Sequence, residues 1–128
     1  MPRIFSFGSE VGQRIDRFGS DFVISRIFHS ADLHVGCIRL DPGGLIGLHP
    51  AASPQILVVV EGAGWVRGSG DARTPIAAGE AVFWIHGEVH ETGTDTGLVA
   101  LVIESPILAD GESMGPIPPH LRRERPHG

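Results

Sequence analysis

Two histidines with an acid between them stand in the segment WIHGEVHE, residues 84–91. On a helix, histidines four residues apart bind zinc in the arrangement H-E-x-x-H, in which the acid directly follows the first histidine. Here Glu88 comes two residues after His86, and Gly87 between them costs a helix about 1 kcal/mol relative to alanine. The valine, isoleucine, phenylalanine and tryptophan around them favour strands. The sequence therefore predicts two strands joined by a turn at 86–88 and not a zinc-binding helix.

Other motifs that could carry chemistry fail on their surroundings. The run VVVEGAGWVRG (58–68) looks like the start of a dinucleotide-binding fold, but Arg67 replaces the third glycine and no helix can follow. Ser69 lies in a hairpin turn, whereas a nucleophile elbow leads from a strand into a helix. Cys37 lies in an alternating strand and is expected to be a small buried hydrophobe. The chain has no lysine and no tyrosine, which excludes Schiff-base and phenolic acid–base chemistry.

The elements that must position the histidines are short strands. Between Asp21 and Glu104 the chain is a series of short apolar runs separated by glycine, proline, aspartate and serine, which is typical of an all-β domain. Turns are expected at DPGG (41–44), GSGD (68–71) and GTDTG (93–97). The predicted strands are 21–28, 32–40, 44–49, 55–61, 64–68, 73–77, 81–85, 89–93 and 97–104.

The segments on either side of these strands differ from them in pattern. Val11, Ile15 and Phe18 lie at helical spacing behind Ser9, which predicts one short helix near the N-terminus. After Glu104 the composition becomes proline-rich without strand alternation, so an extended tail or arm is expected there. The predicted division is an N-terminal arm (1–20), a barrel domain (21–104) and a C-terminal tail or arm (105–128).

Two of the predicted strands are apolar on both faces. The runs QILVVV (55–60) and GLVALVIE (97–104) carry apolar residues at odd and even positions alike, so both faces should be covered. One face lines the interior of the barrel. The other needs a second sheet or a second subunit, and a small domain has little left to supply that cover. The pattern therefore predicts a homodimer.

Composition limits the classes of function. A chain of 128 residues fits one domain that buries a core without disulfides, and its single cysteine excludes an internal disulfide or a multi-thiolate metal site. A net charge of −5 without a basic stripe argues against a nucleic-acid partner. Neither a signal-peptide core nor a membrane span is present in the sequence. We expect a cytoplasmic protein with no membrane partner.

Two segments, taken together, resemble the paired motifs of the cupin family, approximately G-x5-H-x-H-x(3–4)-E-x6-G and G-x5-P-x-G-x2-H-x3-N. They are GGLIGLHPAASPQILVVVEG and GEAVFWIHGEVHETGT. The residues at the family spacing are Gly43, His49 and Gly62 in the first segment and Gly79, Gly87 and His90 in the second. The resemblance implies a single-domain double-stranded β-helix, the jelly-roll-like barrel of the cupins.

The sequence departs from this pattern at several positions that matter. Ala51 stands where the family has its second histidine, Gln55 where it has glutamate, Ile85 where it has proline and Thr94 where it has asparagine. Two of the four usual metal ligands are therefore altered. The metal ligands implied by the resemblance are His49, Gln55 and His90, with His86 in the preceding turn as an extra candidate.

The same residues have a metal-free interpretation. Two inward-facing imidazoles on neighbouring strands can bind a divalent ion, Fe(II), Mn(II), Ni(II) or Zn(II), but an amide oxygen holds it less tightly than a carboxylate. Alternatively, His49, His90 and Gln55 form a polar floor under an apolar pocket with no ion. Strand alternation places Leu57 and Val59 on the same face as Gln55. The expected pocket residues are Leu57, Val59, Trp84 and Thr92.

Three hypotheses about function follow. The first is a small cupin barrel that holds a small organic molecule in its pocket, with or without a weakly bound divalent metal. The second is a metal-dependent oxygenase, isomerase or lyase acting on a small organic acid or phenol, with the ion as Lewis acid or oxygen carrier. The third is a metal-free ligand-binding or sensing module. The sequence does not decide whether the protein is an enzyme.

Overall fold

A computed structural model describes residues 1–108, 114–117 and 119. These residues form nine strands and two short 3-10 turns. The strands are β1 (Gln13–Ile15), β2 (Phe22–His29), β3 (His34–Leu40), β4 (Leu45–Pro50), β5 (Gln55–Arg67), β6 (Thr74–Ala77), β7 (Ala81–Trp84), β8 (Val89–Gly93) and β9 (Leu98–Glu104). The 3-10 turns span Ser9–Val11 and Arg17–Gly19, and neither is long and apolar enough to cross a membrane.

The strands pair antiparallel into two sheets that share β5. The first sheet has the order β1-β2-β3-β9-β5-β7, and the second has the order β4-β8-β5-β6. A bridge between Asp21 and Leu45 joins the two sheets again, at the start of β2 and β4. The sheets face each other across one apolar core. The predicted all-β double-stranded β-helix is therefore confirmed.

Strand β5 runs without interruption through the position where the sequence predicted a break. Its first half pairs with β9 and β7, and its second half pairs with β8 and β6. Gly62 lies at the bend with φ +80°, a conformation that glycine adopts without steric cost. A Cβ there would lie 2.2 Å from the carbonyl oxygen of Gly97. The prediction of separate strands at 55–61 and 64–68 was wrong, because glycine lets the strand bend without ending.

The predicted N-terminal helix was also wrong. Ser9–Val11 makes a single 3-10 turn, Gly12 is extended, and Gln13–Ile15 then pairs with β2 as an edge strand. Tertiary pairing thus overrides the helical spacing of the apolar residues. The predicted arm, 1–20, contributes one strand to the first sheet. Of the predicted tail, 105–128, the segments 109–113, 118 and 120–128 lie outside the described residues.

The segment that raised the question of a zinc-binding helix is a hairpin. Strands β7 and β8 are joined by a turn in which Gly87 has φ +83° and the Glu88 N–H donates to the carbonyl of Ile85 at 3.1 Å. The Glu88 carboxylate accepts the N–H of Ile85 at 3.0 Å. The prediction of two strands and a tight turn is confirmed, so His86 and His90 do not share a helical face.

The core lies between the two sheets, and part of the outer face of the first sheet is uncovered. The core residues are Phe22, Ile38, Leu40, Ile46, Ala51, Leu57, Val59, Val66, Ile76, Trp84, Leu98, Ala100 and Val102. On the outer face, residues near the N-terminus cover β2 and β3, where the Ser25 hydroxyl donates to the Gly8 carbonyl at 2.8 Å. Farther across that sheet, Leu101 and Ile103 remain half-buried.

Candidate functional site

A cavity of about 370 Å³ opens at one end of the barrel, between the two sheets. Most of its wall is apolar, and its polar groups come from five different parts of the chain. The lining residues are Ile15, Arg17, Phe18, Ser20, Phe22, Ile24, Ile38, Ile46, His49, Pro50, Ala52, Gln55, Leu57, His90, Thr92, Val102 and Glu104. An apolar wall with a few converging polar groups is typical of a small-molecule site.

The two motif histidines face each other across a pair of strands. His49 on β4 is the register partner of His90 on β8, and their ring centroids are 4.4 Å apart. The Nδ1 of His49 bonds to the carbonyl oxygen of Gly47 at 2.7 Å, and the Nδ1 of His90 bonds to that of Glu88 at 3.0 Å. Because a carbonyl oxygen only accepts hydrogen bonds, Nδ1 carries the hydrogen in both neutral rings. Each ring therefore keeps an unprotonated Nε2.

His90 is the deeper of the two rings. Its side chain is 2% exposed and stacks on Trp84, with ring centroids 4.9 Å apart. Burial lowers the pKa of His90 from 6.5, and the positive charge that His49 carries when protonated lowers it further. The neutral ring is therefore the favoured form at neutral pH. Behind it, Nε1 of Trp84 is a buried donor without a hydrogen-bond partner among the described residues.

Gln55 and Glu104 form the second polar group of the cavity. They are register partners on β5 and β9, and Nε2 of Gln55 donates to Oε1 of Glu104 at 2.7 Å. A hydrogen bond to a charged acceptor is stronger than one between neutral groups. The Gln55 amide is thus engaged with a carboxylate one strand away, and its oxygen and second hydrogen are left for a ligand.

A loop from the predicted N-terminal arm forms another wall of the cavity. Phe18 has φ +58°, the one positive φ at a non-glycine residue in the described part of the chain, and its ring stacks on His49 with centroids 5.3 Å apart. The hydroxyl of Ser20 accepts the N–H of Gly47 at 2.8 Å. A Cβ on Gly47 would lie 1.7 Å from the Phe18 carbonyl oxygen. Glycine at 47 therefore lets this loop approach β4 closely.

The structure brings some of the expected site residues together and not others. His49, Gln55, His90, Leu57 and Thr92 all line the cavity. Val59 lies 1% exposed in the core, and Trp84 lies behind the His90 ring. His86 is exposed in the β7–β8 turn. Ala51, at the position of the family's second histidine, is buried in the core.

Sequence reasoning missed two features of this site. Glu104 could have been found from strand alternation, because it is in phase with the buried residues Ala100 and Val102. No alternation or motif in the sequence predicted that the loop carrying Arg17 and Phe18 would line the cavity. Its place against β4 depends on a contact between residues far apart in sequence, which no local pattern encodes.

The ligands present fit two metal–imidazole bonds and not a closed metal site. The second ring nitrogen of a metal-binding histidine usually donates to a carbonyl or carboxylate, as Nδ1 does in His49 and His90. No group of three or more histidine, cysteine, aspartate and glutamate side chains within 1–108, 114–117 and 119 is arranged to hold an ion. An ion bound in this cavity would therefore be held mainly by these two histidines.

Comparison with solved structures decides the fold family. A cupin-like protein from Thermotoga maritima has a TM-score of 0.69 and 23% identity, and the match covers 83% of each chain. An RmlC-like cupin from Shewanella frigidimarina has a TM-score of 0.66 and 26% identity, covering 85% of this chain and 96% of that one. The chain has the cupin fold. The resemblance to the cupins found in the two sequence motifs is confirmed.

Other cupin-fold structures have more specific descriptions. A predicted oxalate decarboxylase from Thermotoga maritima has a TM-score of 0.67 and 23% identity, and the match covers 79% of this chain and 98% of that one. No family model matches this chain, and no curated protein matches it significantly. Similarity at this level of identity extends to the cupin fold and not to an activity.

Proposed function

We propose that this cupin-fold protein binds a small organic molecule in the cavity, with His49 and His90 as the groups that recognise it. The observation that carries the proposal is the shared anchoring of the two rings, since each Nδ1 is held by a backbone carbonyl and the Nε2 of each neutral ring is therefore an acceptor. The cavity of about 370 Å³ lies within the range of about 300–1,000 Å³ typical of ligand pockets.

The paired imidazoles support binding and proton acceptance. An unprotonated Nε2 accepts a hydrogen bond from a bound hydroxyl or ammonium group, and it can also accept the proton. Burial favours the neutral form of His90 because it lowers the pKa of that ring. The apolar wall would exclude water from the bound molecule and so strengthen these hydrogen bonds.

A divalent ion is a second candidate occupant of the imidazole pair. A bound Fe(II), Mn(II), Ni(II) or Zn(II) would supply Lewis acidity, as a metal-dependent oxygenase, isomerase or lyase requires. His49 and His90 would hold it through Nε2, and we expect weak affinity because Gln55 is engaged with Glu104. A titration of chelator-treated protein with Ni(II) and Mn(II), followed by calorimetry, separates this candidate from the metal-free one. Binding that His49→Ala abolishes would support it.

The ligand proposal is tested with a panel of small molecules on metal-free protein. Benzyl alcohol, benzylamine, benzoate and hexanoate are titrated while ¹⁵N NMR follows the two indole N–H signals. The Trp84 indole stacks on His90 and should report occupancy of the cavity, while Trp65→Phe assigns the signals. We expect at least one compound to shift the Trp84 signal in a saturable way.

Two tryptophan substitutions show whether that binding is in the cavity. Ala52 is exposed and lines the cavity, so Ala52→Trp should block the opening and remove the binding without disturbing the core. Ala72 is exposed in the turn after β5 and outside the lining, so Ala72→Trp is the matched control. The proposal fails if no compound in the panel binds, or if Ala52→Trp binds as the parent does.

We propose in addition that two copies of the chain associate through the uncovered outer face of the first sheet. Leu101 and Ile103 on β9, and Ile56 and Val58 on β5, stay half-buried and apolar there. Val60 at the bend is 50% exposed. Burying such a continuous apolar face against a second copy is favourable by about 25 cal/mol for each Å² removed from water.

A further inference from the structure

Glu104 is the one carboxylate among the described residues that line the cavity. We propose that it is the anionic recognition group of the pocket, so that the natural ligand is a protonated amine or a hydroxyl compound rather than a carboxylate or phosphate. The inference rests on the proposed function, because it names the class of molecule that the cavity holds. It assigns Gln55 the role of a positioning residue for Glu104 in place of the metal ligand that the motif suggested.

The position of Glu104 follows from the strand register. On β9 it continues the inward-facing series of Leu98, Ala100 and Val102, all of which are buried. Gln55 lies directly opposite and donates to Oε1 at 2.7 Å, which fixes the carboxylate in one orientation. In the described part of the chain no group donates to Oε2. One oxygen is therefore anchored and the other is left for a ligand.

The side chains of the histidines and Gln55 also present acceptor atoms to the cavity, while the hydroxyls of Ser20 and Thr92 can both accept and donate. In their neutral forms both imidazoles donate Nδ1–H to the backbone and keep an Nε2 lone pair. The Gln55 amide donates one hydrogen to Glu104 and keeps its oxygen and a second hydrogen. Arg17, the one cationic side chain among the described lining residues, is exposed. The indole N–H of Trp84 is a donor, but it is fully buried.

The acceptor atoms of the cavity favour a ligand that carries hydrogen-bond donors. An ammonium or hydroxyl group would donate to Glu104 and to the imidazoles, and an apolar body would fill the rest of the wall. A carboxylate or phosphate is itself an acceptor and would supply no hydrogen to Glu104 or to the imidazoles. Acceptors on both sides would then be desolvated without a hydrogen bond, which is unfavourable. Specificity of this kind arises from the groups that the wrong ligand leaves unsatisfied.

Matched probes of one size test the class of ligand. Benzylamine and benzoate share a planar apolar ring and differ in the charge of the polar group, and both are titrated into metal-free protein. The chain contains two glutamines, Gln13 and Gln55, and no asparagine, so ¹⁵N spectra hold only two side-chain amide pairs and Gln55 is read directly. We expect benzylamine to shift the Gln55 amide and to bind at least tenfold more tightly than benzoate.

Two substitutions that each remove one negative charge supply the control. Glu104→Gln should weaken benzylamine binding at least tenfold, while Glu61→Gln, at an exposed residue of β5 outside the lining, should leave it unchanged. The double variant Gln55→Glu/Glu104→Gln retains an amide–carboxylate pair and the net charge. Its melting temperature, and that of Glu104→Gln, show whether a lost affinity reflects a lost fold.

The outcomes separate this inference from the proposed function. Benzoate that binds as tightly as benzylamine, or a folded Glu104→Gln protein that binds benzylamine like the parent, overturns the donor class and leaves the cavity a ligand site. If neither probe binds, the donor class is overturned, and the remainder of the panel then decides the proposed function. Benzylamine binding that depends on Glu104 in protein that binds no metal supports the inference independently of the metal question.

Discussion

The side-chain amide of Gln55 donates to the carboxylate of Glu104 across two neighbouring strands, at 2.7 Å. Position 55 is where the cupin motif places its glutamate, so this protein has an amide there and a carboxylate on the adjacent strand. The carboxylate of the cavity is therefore on β9 and not on β5, where the motif has it. Because of this hydrogen bond, substitution of either residue should also change the orientation and interactions of the other.

Gln55→Glu should destabilise the metal-free protein and create a metal site. The new carboxylate would lie within hydrogen-bond distance of Glu104, and the repulsion between two like charges should lower the free energy of unfolding by about 1–3 kcal/mol. With His49 and His90 nearby, Ni(II) or Mn(II) should then bind at least tenfold more tightly than in the parent, about 1.4 kcal/mol. Thermal unfolding with and without each ion measures both effects.

The double variant Gln55→Glu/Glu104→Gln is the control for this prediction. It restores one amide and one carboxylate, so the metal-free loss of stability should disappear. A Gln55→Glu protein that is as stable as the parent, or that gains nothing from any ion, would contradict the prediction.

Stability should decrease as the pH falls below about 6.5, in part because of His90. Burial lowers the pKa of this ring in the folded protein below its value of 6.5 in the unfolded chain. The unfolded state therefore binds the proton first, so stability is full above 6.5 and is lost as the pH falls through the folded pKa. Urea unfolding between pH 8 and pH 5 should show a smaller decrease for His90→Gln than for His86→Gln, an exposed-site control. Equal pH profiles would exclude a role for His90.

Gly47→Ala should displace the loop that carries Phe18. The new Cβ would lie 1.7 Å from the Phe18 carbonyl oxygen, so the loop or the strand must move. We expect a loss of about 1–3 kcal/mol in the free energy of unfolding, the usual cost of overpacking. Gly70 has open space around its Cβ position, and Gly70→Ala should therefore change stability far less. Chemical denaturation of the two variants measures the difference, and equal effects would contradict the predicted close contact.

Leu101→Arg should convert a dimer into a monomer. Leu101 lies on the outer face of the first sheet, opposite Val58 and Cys37 in the register, and a guanidinium there could not be buried against a second copy. Light scattering at micromolar concentration should give twice 13.6 kDa for the parent and 13.6 kDa for the variant. Ile85→Arg places the same charge on an exposed turn residue and should remain dimeric. A parent protein of monomer mass would rule out the association.

Much of the fold could be predicted from local sequence patterns. Alternating apolar residues and glycine-rich turns predicted most of the strands, and the resemblance of the two motifs to those of the cupins implied the barrel. The break predicted in β5 shows the limit of such patterns, since a glycine is a local signal for the end of a strand but Gly62 bends β5 without ending it. The helical spacing of Val11 and Ile15 led to a wrong prediction for a related reason. Pairing of Gln13–Ile15 with β2 stabilises an extended conformation by more than the weak local preference for helix.

The site was predictable only in part. Strand alternation put Leu57 on the face of Gln55, and the structure has both on the cavity wall. The direct opposition of His49 and His90 depends on the register of β4 and β8, which shifts between Ile46 and His49. Such a shift is set by packing across the whole barrel, so no single segment of the sequence reveals it.

The continuous course of β5 has a consequence for how the molecule folds. Since the same strand pairs with β9 and β7 in one sheet and with β6 and β8 in the other, the pairings on the two sides of Gly62 are linked through one continuous strand. Amide hydrogens on both sides of Gly62 should therefore exchange with solvent through one global opening, at a common free energy. The pairings of β5 with β9 and of β3 with β9 join segments distant in sequence, so refolding should be slow for a chain of this length.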